Sequence, residues 1–228
     1  PVETDRTGSV SSHFREGVAY VRSRPALVLA VVTIAALAFF GSGAIQLAPA
    51  FARDQFDVGA AAYGTLLAAF GVGAMAGSVV ISIVGDRVSR SRMAMTGTFI
   101  YAAGVLVLGV APVLLVGIAG LLLMGVAHLL AAVSLNTSIQ ARVAEGFRGR
   151  VISLYLMGLM AGVPTGALIQ GKLASVVGLR PTVIGAGLAL IGFALFAIVH
   201  WHSMRPLDES IDDEPDALAE PEGLPGAE

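Results

Sequence analysis

The stretch AAAYGTLLAAFGVGAMAGSVVISIVGDRVSRSR, residues 60–92, decides the fold class. Residues 60–84 carry no charge, and a helix of that length rises by about 37 Å, enough to cross the ~30 Å hydrocarbon core of a bilayer. The charged run GDRVSRSR at 85–92 then marks a return to water. A membrane β-barrel would instead show short strands that alternate apolar and polar residues, which this sequence lacks. The stretch therefore predicts a transmembrane α-helix followed by a polar loop.

Similar apolar blocks recur along the chain. Of the 228 residues 56% are hydrophobic and 13% are charged, well below the roughly 25% charge typical of soluble domains. The sequence therefore predicts an all-α membrane protein with six transmembrane helices. The predicted spans are 26–48, 60–84, 93–110, 113–135, 151–170 and 181–201.

Three regions follow from this pattern. Residues 1–25 form a polar arm in which Phe14, Val18 and Val21 recur at helical spacing, which indicates a helix lying at the membrane surface. Residues 26–201 form the six-helix transmembrane domain. Residues 202–228 form an acidic tail rich in Pro and Gly, a composition typical of disorder.

The distribution of basic residues predicts orientation, because Lys and Arg accumulate in cytoplasmic loops. Both termini, and the loops at 85–92 and 137–150, are therefore expected in the cytoplasm, with the protein in a bacterial inner membrane. Arg53, Lys172 and Arg180 fall on the other side. The cytoplasmic set is Arg6, Arg15, Arg22, Arg24, Arg87, Arg90, Arg92, Arg142, Arg148, Arg150 and Arg205.

A short internal repeat links the second and fifth spans. The run GAMAG at 73–77 recurs as GLMAG at 158–162, three helices later. Because three is odd, the two copies run in opposite directions, as in an inverted 3+3 repeat; a chance match in Gly-rich sequence is the alternative. Spacing of four places glycines on one helix face, either for static packing or to let helices slide, and a proline can bend the helix. The packing candidates are Gly73, Gly77, Gly158, Gly162, Pro164 and Gly166.

Two charged clusters face the same side. Asp86, Arg87 and Arg90 follow the second span, and Arg148, Gly149 and Arg150 precede the fifth. A carboxylate beside arginines can form charge-assisted bonds that hold one arrangement of a gate. The alternative is an ordinary positively charged cytoplasmic loop.

These segments resemble the C-terminal half of major facilitator transporters, in particular the bacterial branch of enterobactin exporters and macrolide efflux proteins. The likeness rests on FREGVAYVRSRP (14–25), GDRVSRSR, QARVAEGFRGRVISLY (140–155) and GLMAGVPTGALIQGKLASVVGLRP (158–181). Asp86, Arg87 and Arg90 match the family loop pattern G-x-x-x-D-R-x-G-R-R, whereas serines replace its glycines and its last base.

The resemblance implies a twelve-span transporter in two halves, of which this chain is one. Because it begins at Pro1 without Met, we expect a fragment or a split product. The expected partners are the lipid bilayer, a small-molecule substrate such as a drug or siderophore, and either the missing N-terminal six-helix half or a second copy. No nucleic acid, cofactor, metal site or enzymatic activity is expected.

The resemblance also directs the first and fourth helices toward a central cavity. His128 is the only ionisable residue deep within a span; a neutral imidazole bonded to a neighbouring helix is its alternative role. A serine protease that uses Ser42 and His128, and a channel-like or structural membrane subunit, are the alternative functions. The expected cavity residues are Ser42, Gln46, His128, Ser134 and Asn136.

Overall fold

The structure, a computed structural model, describes residues 10–199, with side chains except at 10–13 and 60–62. Helices of this part are α1 Val10–Arg22, α2 Pro25–Gln55, α3 Ala60–Val84, α4 Arg90–Val110, α5 Leu114–Arg142, α6 Glu145–Val177 and α7 Leu179–Val199. Helices α2 to α7 are each long and apolar enough to span a bilayer. The prediction of an all-α membrane protein with six transmembrane helices is confirmed. Residues 1–9 of the arm and the predicted tail at 202–228 lie outside the described residues.

Two predicted helix boundaries were wrong. The first span was expected to stop at Pro49, but α2 continues to Gln55, because Pro49 lies in the first turn of a short helical segment, where a missing N–H breaks no helical bond. The stretch 137–150 was expected to be a loop, yet only Val143 and Ala144 interrupt the helices there. A polar helix that projects beyond the hydrocarbon core is solvated by water, so low hydropathy did not mark its end.

The fifth span is also longer than predicted. It was placed at 151–170, whereas α6 runs from Glu145 to Val177. Pro164 lies within this helix and does not end it. Gly178 follows with a φ of 98°, a conformation that glycine adopts readily, and α7 begins at the next residue.

Helix α2 is not a regular α-helix. It contains a π-helical turn over Leu37–Ser42, called here the wide turn, and a second one over Phe51–Gln55. In a π-helical turn each N–H bonds to the carbonyl five residues earlier instead of four. The turn is therefore wider, and its carbonyls depart from the α-helical hydrogen-bond pattern. The sequence analysis did not predict either feature.

The helix contacts follow the expected repeat. Gly73 and Gly77 of α3 pack on Leu122 and Val126 of α5, whereas the glycines of α6 pack on Ala35, Ala38 and Phe39 of α2. The second helix of each triplet therefore packs on the first helix of the other. The third helices, α4 and α7, pack on each other through Gly109 and Gly187. Exchanging the triplets maps these three contacts onto one another, as a 3+3 inverted repeat requires.

Burial differs with position in the triplet. In the most apolar window of α3 and of α6, 17% of residues are buried, against 61% in α4. Met75 and Met160, which occupy matching positions of the repeat, are 70% and 65% exposed. The glycines of α3 and α6 thus face the bundle, whereas the opposite face of each helix carries exposed apolar side chains.

Candidate functional site

The wide turn of α2 is the centre of the candidate site, because three other helices meet near it. Gly41 and Gly43 flank Ser42 at its end. Both glycines are buried, and each faces a large polar side chain from a different helix. A methyl group at Gly41 would overlap the Tyr101 ring of α4, and one at Gly43 would overlap the Gln170 amide of α6.

Helix α6 approaches the wide turn along its glycine face. A methyl group at Gly158 would lie 3.4 Å from the Ala35 Cβ, and one at Gly162 would lie 2.7 Å from the Ala38 Cβ. At Gly166 it would overlap the Phe39 carbonyl oxygen. The two helices therefore converge from Gly158 toward Gly166, and their backbones are closest beside the wide turn.

Gln170 lies one turn beyond this closest approach and is 4% exposed. Its Nε2 donates hydrogen bonds to the carbonyl oxygens of Phe39 at 2.7 Å and Phe40 at 3.2 Å. These are carbonyls of the wide turn, which explains how α2 accommodates a widened turn within an apolar bundle, where an unsatisfied carbonyl is costly. The Gln170 Oε1 is buried and has no hydrogen-bond partner among residues 10–199.

An aromatic group covers the other side of the wide turn. The Tyr101 side chain is fully buried, with its ring against Gly41 and its hydroxyl toward Ser42. The His128 ring of α5 lies 6.1 Å from the Tyr101 ring and 5.7 Å from the Phe70 ring, centroid to centroid. Tyr101 therefore lies beside both Ser42 and His128, but its buried hydroxyl has no hydrogen-bond partner within residues 10–199.

The other expected cavity residues lie apart from this group. Gln46 is exposed one turn beyond Ser42. Ser134 is buried, and its hydroxyl has no hydrogen-bond partner in the described part of the chain. Asn136 accepts a hydrogen bond from Gln140 on its own helix. Of the five expected residues, the structure brings together Ser42 and His128, through Tyr101; their contact with a substrate stays a prediction.

The two charged clusters differ in their surroundings. Asp86, Arg87 and Arg90 are exposed around the turn after α3, and within residues 10–199 Asp86 forms no ion pair. Its role as a gate stays a prediction. In the second cluster, Arg150 pairs with Glu16 of α1 at 3.1 Å, whereas Gly149 faces open space and the Arg148 Nε is buried without a hydrogen-bond partner in the described chain.

Helix α1 covers the junction between α5 and α6. The Tyr20 ring stacks on the Phe147 ring at 4.4 Å, and its hydroxyl accepts a hydrogen bond from the Ala144 N–H at 3.3 Å. The Arg24 guanidinium lies 3.9 Å from the centre of the Tyr20 ring. The amphipathic arm therefore packs on the ends of the transmembrane helices as well as presenting a basic face.

Sequence reasoning missed Gln170, Tyr101 and Tyr20. A glutamine within an apolar span is a signal that was available, because a buried amide needs partners. Tyr101 and Tyr20 gave no such signal, since tyrosine is common in membrane helices and at their ends.

The arrangement offers hydrogen bonding and helix packing. Among the described residues, the His128 ring contacts the Phe70 and Tyr101 rings. Within the described ranges, no three His, Asp or Glu side chains group to hold a metal ion.

Comparison with known proteins identifies the family of the chain. Residues 6–223 match the family described as transmembrane secretion effector, which belongs to the major facilitator transporters. No curated protein matches the sequence. Major facilitator families are generally non-enzymatic transporters. Because the match covers nearly the whole chain, this multi-pass membrane protein belongs to the transmembrane secretion effector family of the major facilitator superfamily.

Proposed function

We propose that the protein exports small, largely uncharged molecules across the bacterial inner membrane, as the C-terminal half of a twelve-helix transporter. The observation that carries the proposal is the pair of exposed, apolar helix faces on α3 and α6. They occupy matching positions in the two triplets, and 17% of the most apolar window of each is buried. A second six-helix unit placed against both faces would enclose a substrate path between the halves.

The composition of these faces favours a protein partner over lipid alone. Beside the exposed methionines they carry small residues, such as Gly71 and Ala76 on α3 and Gly171 on α6. Small residues let helices approach closely, whereas lipid chains impose no such requirement. The missing N-terminal half is the partner we favour, and a second copy of this chain is the alternative.

The substrate class follows from the charges of the described helices. Their Asp, Glu, Lys and Arg residues lie near helix ends, and His128 is the histidine that lies deep within a span. Without a fixed charge at the midplane, the bundle can bind hydrogen-bonding and aromatic groups better than ions. A catecholate siderophore has both kinds of group and a macrolide has many hydrogen-bonding oxygens, and these are the substrates that the resemblance to enterobactin and macrolide exporters implies.

The orientation rests on the arginine distribution. Six of the thirteen arginines lie between α3 and α4, at the start of α4, at the end of α5 or at the start of α6. Because arginine accumulates in cytoplasmic loops, this distribution supports a cytoplasmic location for these helix ends. Export then starts at the side where α1 packs, with both termini in the cytoplasm.

Transport in proteoliposomes tests the function. The complete transporter should move radiolabelled erythromycin or enterobactin with a rate that saturates, and Gly166→Leu should abolish it by separating α6 from α2. Gly192→Leu on α7 is the matched control, because a side chain there meets open space in the described chain and Gly192 lies one turn from Leu188, outside the two faces proposed to pack on the partner. An unsaturable ion current would instead favour a channel-like subunit, and no flux of either compound would reject the substrate class.

Spin labels test the partner. Labels that replace Met75 and Met160 should be shielded from lipid-dissolved oxygen in the complete transporter, whereas a label at Leu188 on α7 should stay accessible. Equal accessibility at all three positions would contradict a half-transporter.

A further inference from the structure

The contact between Gln170 and the wide turn has a role that helix packing does not explain. Packing alone needs a small side chain or an apolar one at this position, as at Gly162 and Gly166. A buried glutamine must instead be desolvated, and its amide is only partly satisfied, since the Oε1 has no partner in the described chain. Its two donated bonds reach a neighbouring helix, and both end on the wide turn.

The contacts along α2 and α6 show where the two backbones are closest and where a groove lies beside them. They converge from Gly158 to Gly166, where a methyl group would overlap the Phe39 carbonyl oxygen. Toward the opposite end an open groove of 410 Å³ runs over the surface shared by α1, α2 and α6. It is lined by side chains that include Val28 and Val31 of α2, Leu154 and Met157 of α6, and Arg22 of α1.

We infer that the bonds from Gln170 to Phe39 and Phe40 are the fixed point about which α6 rocks against α2, and that Gln170 is therefore a positioning residue of the transport cycle. The inference rests on the proposed transport function. The groove provides space for the far ends of the two helices to approach or separate. The glycine face allows this motion because it presents no side chains to lock the helices together, and a π-helical turn is a frequent site of functional adjustment.

A fixed point of this kind predicts that loss of the Gln170 amide lowers turnover but leaves KM nearly unchanged. Gln170 does not contact the Ser42, Tyr101 and His128 group in the described bonds, so removing its amide should leave substrate affinity unchanged. Interhelical hydrogen bonds in membranes shift an equilibrium by about three- to twentyfold. Gln170→Met should therefore lower turnover of erythromycin or enterobactin transport about fivefold or more, with KM changed by less than about twofold. Gln140→Met is the matched control, because Gln140 is exposed and bonded within its own helix.

Gln170→Glu provides a pH-dependent test. A protonated carboxyl can donate one hydrogen bond to the wide turn, whereas a carboxylate can donate none and repels both carbonyls. Its turnover relative to wild type at the same pH should therefore rise as the pH falls. A constant ratio across pH, or a Gln170→Met variant with wild-type turnover, would overturn the inference.

Two measurements do not depend on the substrate. The chain has four glutamines, Gln46, Gln55, Gln140 and Gln170, so ¹⁵N-glutamine labelling gives four side-chain amide signals. The Gln170 signal should exchange with solvent slowly, and Gly43→Ala should remove that protection by displacing the amide. Fast exchange in the unaltered protein would overturn the inference.

Cysteines report the rocking motion, since the chain has no native cysteine. The pair Val31→Cys and Met157→Cys faces the groove, and its rate of disulfide formation should change at least threefold when Gln170→Met is added. An unchanged rate would overturn the fixed point even if transport were altered. If neither probe compound is transported but the cross-linking rate responds to Gln170→Met, the proposed substrate class fails and the fixed point stands.

Discussion

The α3–α5 pair and the α6–α2 pair are repeat counterparts, yet they are built differently. Gly73 and Gly77 pack on the regular helix α5, where the contacts are backbone to backbone. Gly162 and Gly166 pack on α2, which contains the wide turn and accepts two hydrogen bonds from Gln170. The difference teaches that the α6–α2 pair adds a polar contact, from Gln170 to the wide turn, at a single level of the membrane.

The largest expected effect concerns the opposite orientations of α3 and α6 across the membrane. If α3 and α6 are inverted copies, their charged ends share one face of the membrane. In a cysteine-free background, Ser89→Cys should react with an impermeant thiol reagent only from the cytoplasm, and Ser175→Cys only from outside. Labelling of intact cells and of inverted vesicles measures both. The opposite pattern would reverse the orientation, and reaction of both from one side would rule out the inverted repeat.

Packing along the glycine faces should give a graded loss of stability. Gly166→Ala and Gly73→Ala each place a methyl group into a backbone carbonyl oxygen, which should cost about 1–3 kcal/mol through overpacking. Gly158→Ala meets ordinary contact at 3.4 Å and should be neutral or stabilising, since alanine is the better helix former. Thermal unfolding in detergent measures all three. Equal effects at Gly158 and Gly166 would contradict the convergence of α6 and α2.

The two charged clusters differ in their cover: α1 packs on the start of α6, whereas the cluster after α3 is exposed. Tyr20→Ala removes the stacking on Phe147 and the bond from Ala144, and should weaken the docking of α1 by about 1–2 kcal/mol. Trypsin cleavage at Arg15 and Arg22 should become several times faster. Phe14→Ala is the control, because Phe14 is exposed at the same helix. Unchanged cleavage would show that the stacking does not hold the arm.

The smallest expected effect is at Asp86, in the uncovered cluster after α3. An exposed ion pair contributes about 0–1 kcal/mol, but a carrier with two states of similar energy is shifted several-fold by that amount. Asp86→Asn should therefore lower transport turnover severalfold and leave equilibrium substrate affinity, corrected for the balance of states, almost intact. If it abolishes binding while Arg90→Ala has no effect, Asp86 belongs to the substrate or coupling site.

The sequence predicted the elements that hydropathy and glycine spacing determine. The six spans and the inverted arrangement of the Gly73 and Gly158 faces follow from segment length and periodicity, which are local properties. The helices that continue to Arg142 and restart at Glu145 were missed because hydropathy reports the solvent around a helix and not the helix itself. Pro49 was misread because a proline ends a helix only where its N–H is needed.

The candidate site was less predictable because its geometry depends on contacts between distant segments. Nothing in the residues 37–42 themselves distinguishes a π-helical turn from an α-helical one, and the partners that stabilise it, Tyr101 and Gln170, lie about 60 and 130 residues further along the chain. Ser42 and His128 were identified as polar residues within apolar spans, but their common neighbour Tyr101 was not. Polar residues within spans can be located from sequence, whereas their pairing cannot.

The unequal lengths of the spanning helices have a consequence for the membrane that surrounds them. Helix α4 has 21 residues and is about 32 Å long, close to the thickness of the hydrocarbon core, whereas α6 has 33 residues and is about 50 Å long. Helix α6 must therefore tilt or project into the headgroups, and a helix that tilts responds to bilayer thickness. Longer lipid acyl chains should therefore reduce the tilt of α6. The same thicker bilayer would exceed the hydrophobic length of the shorter helix α4.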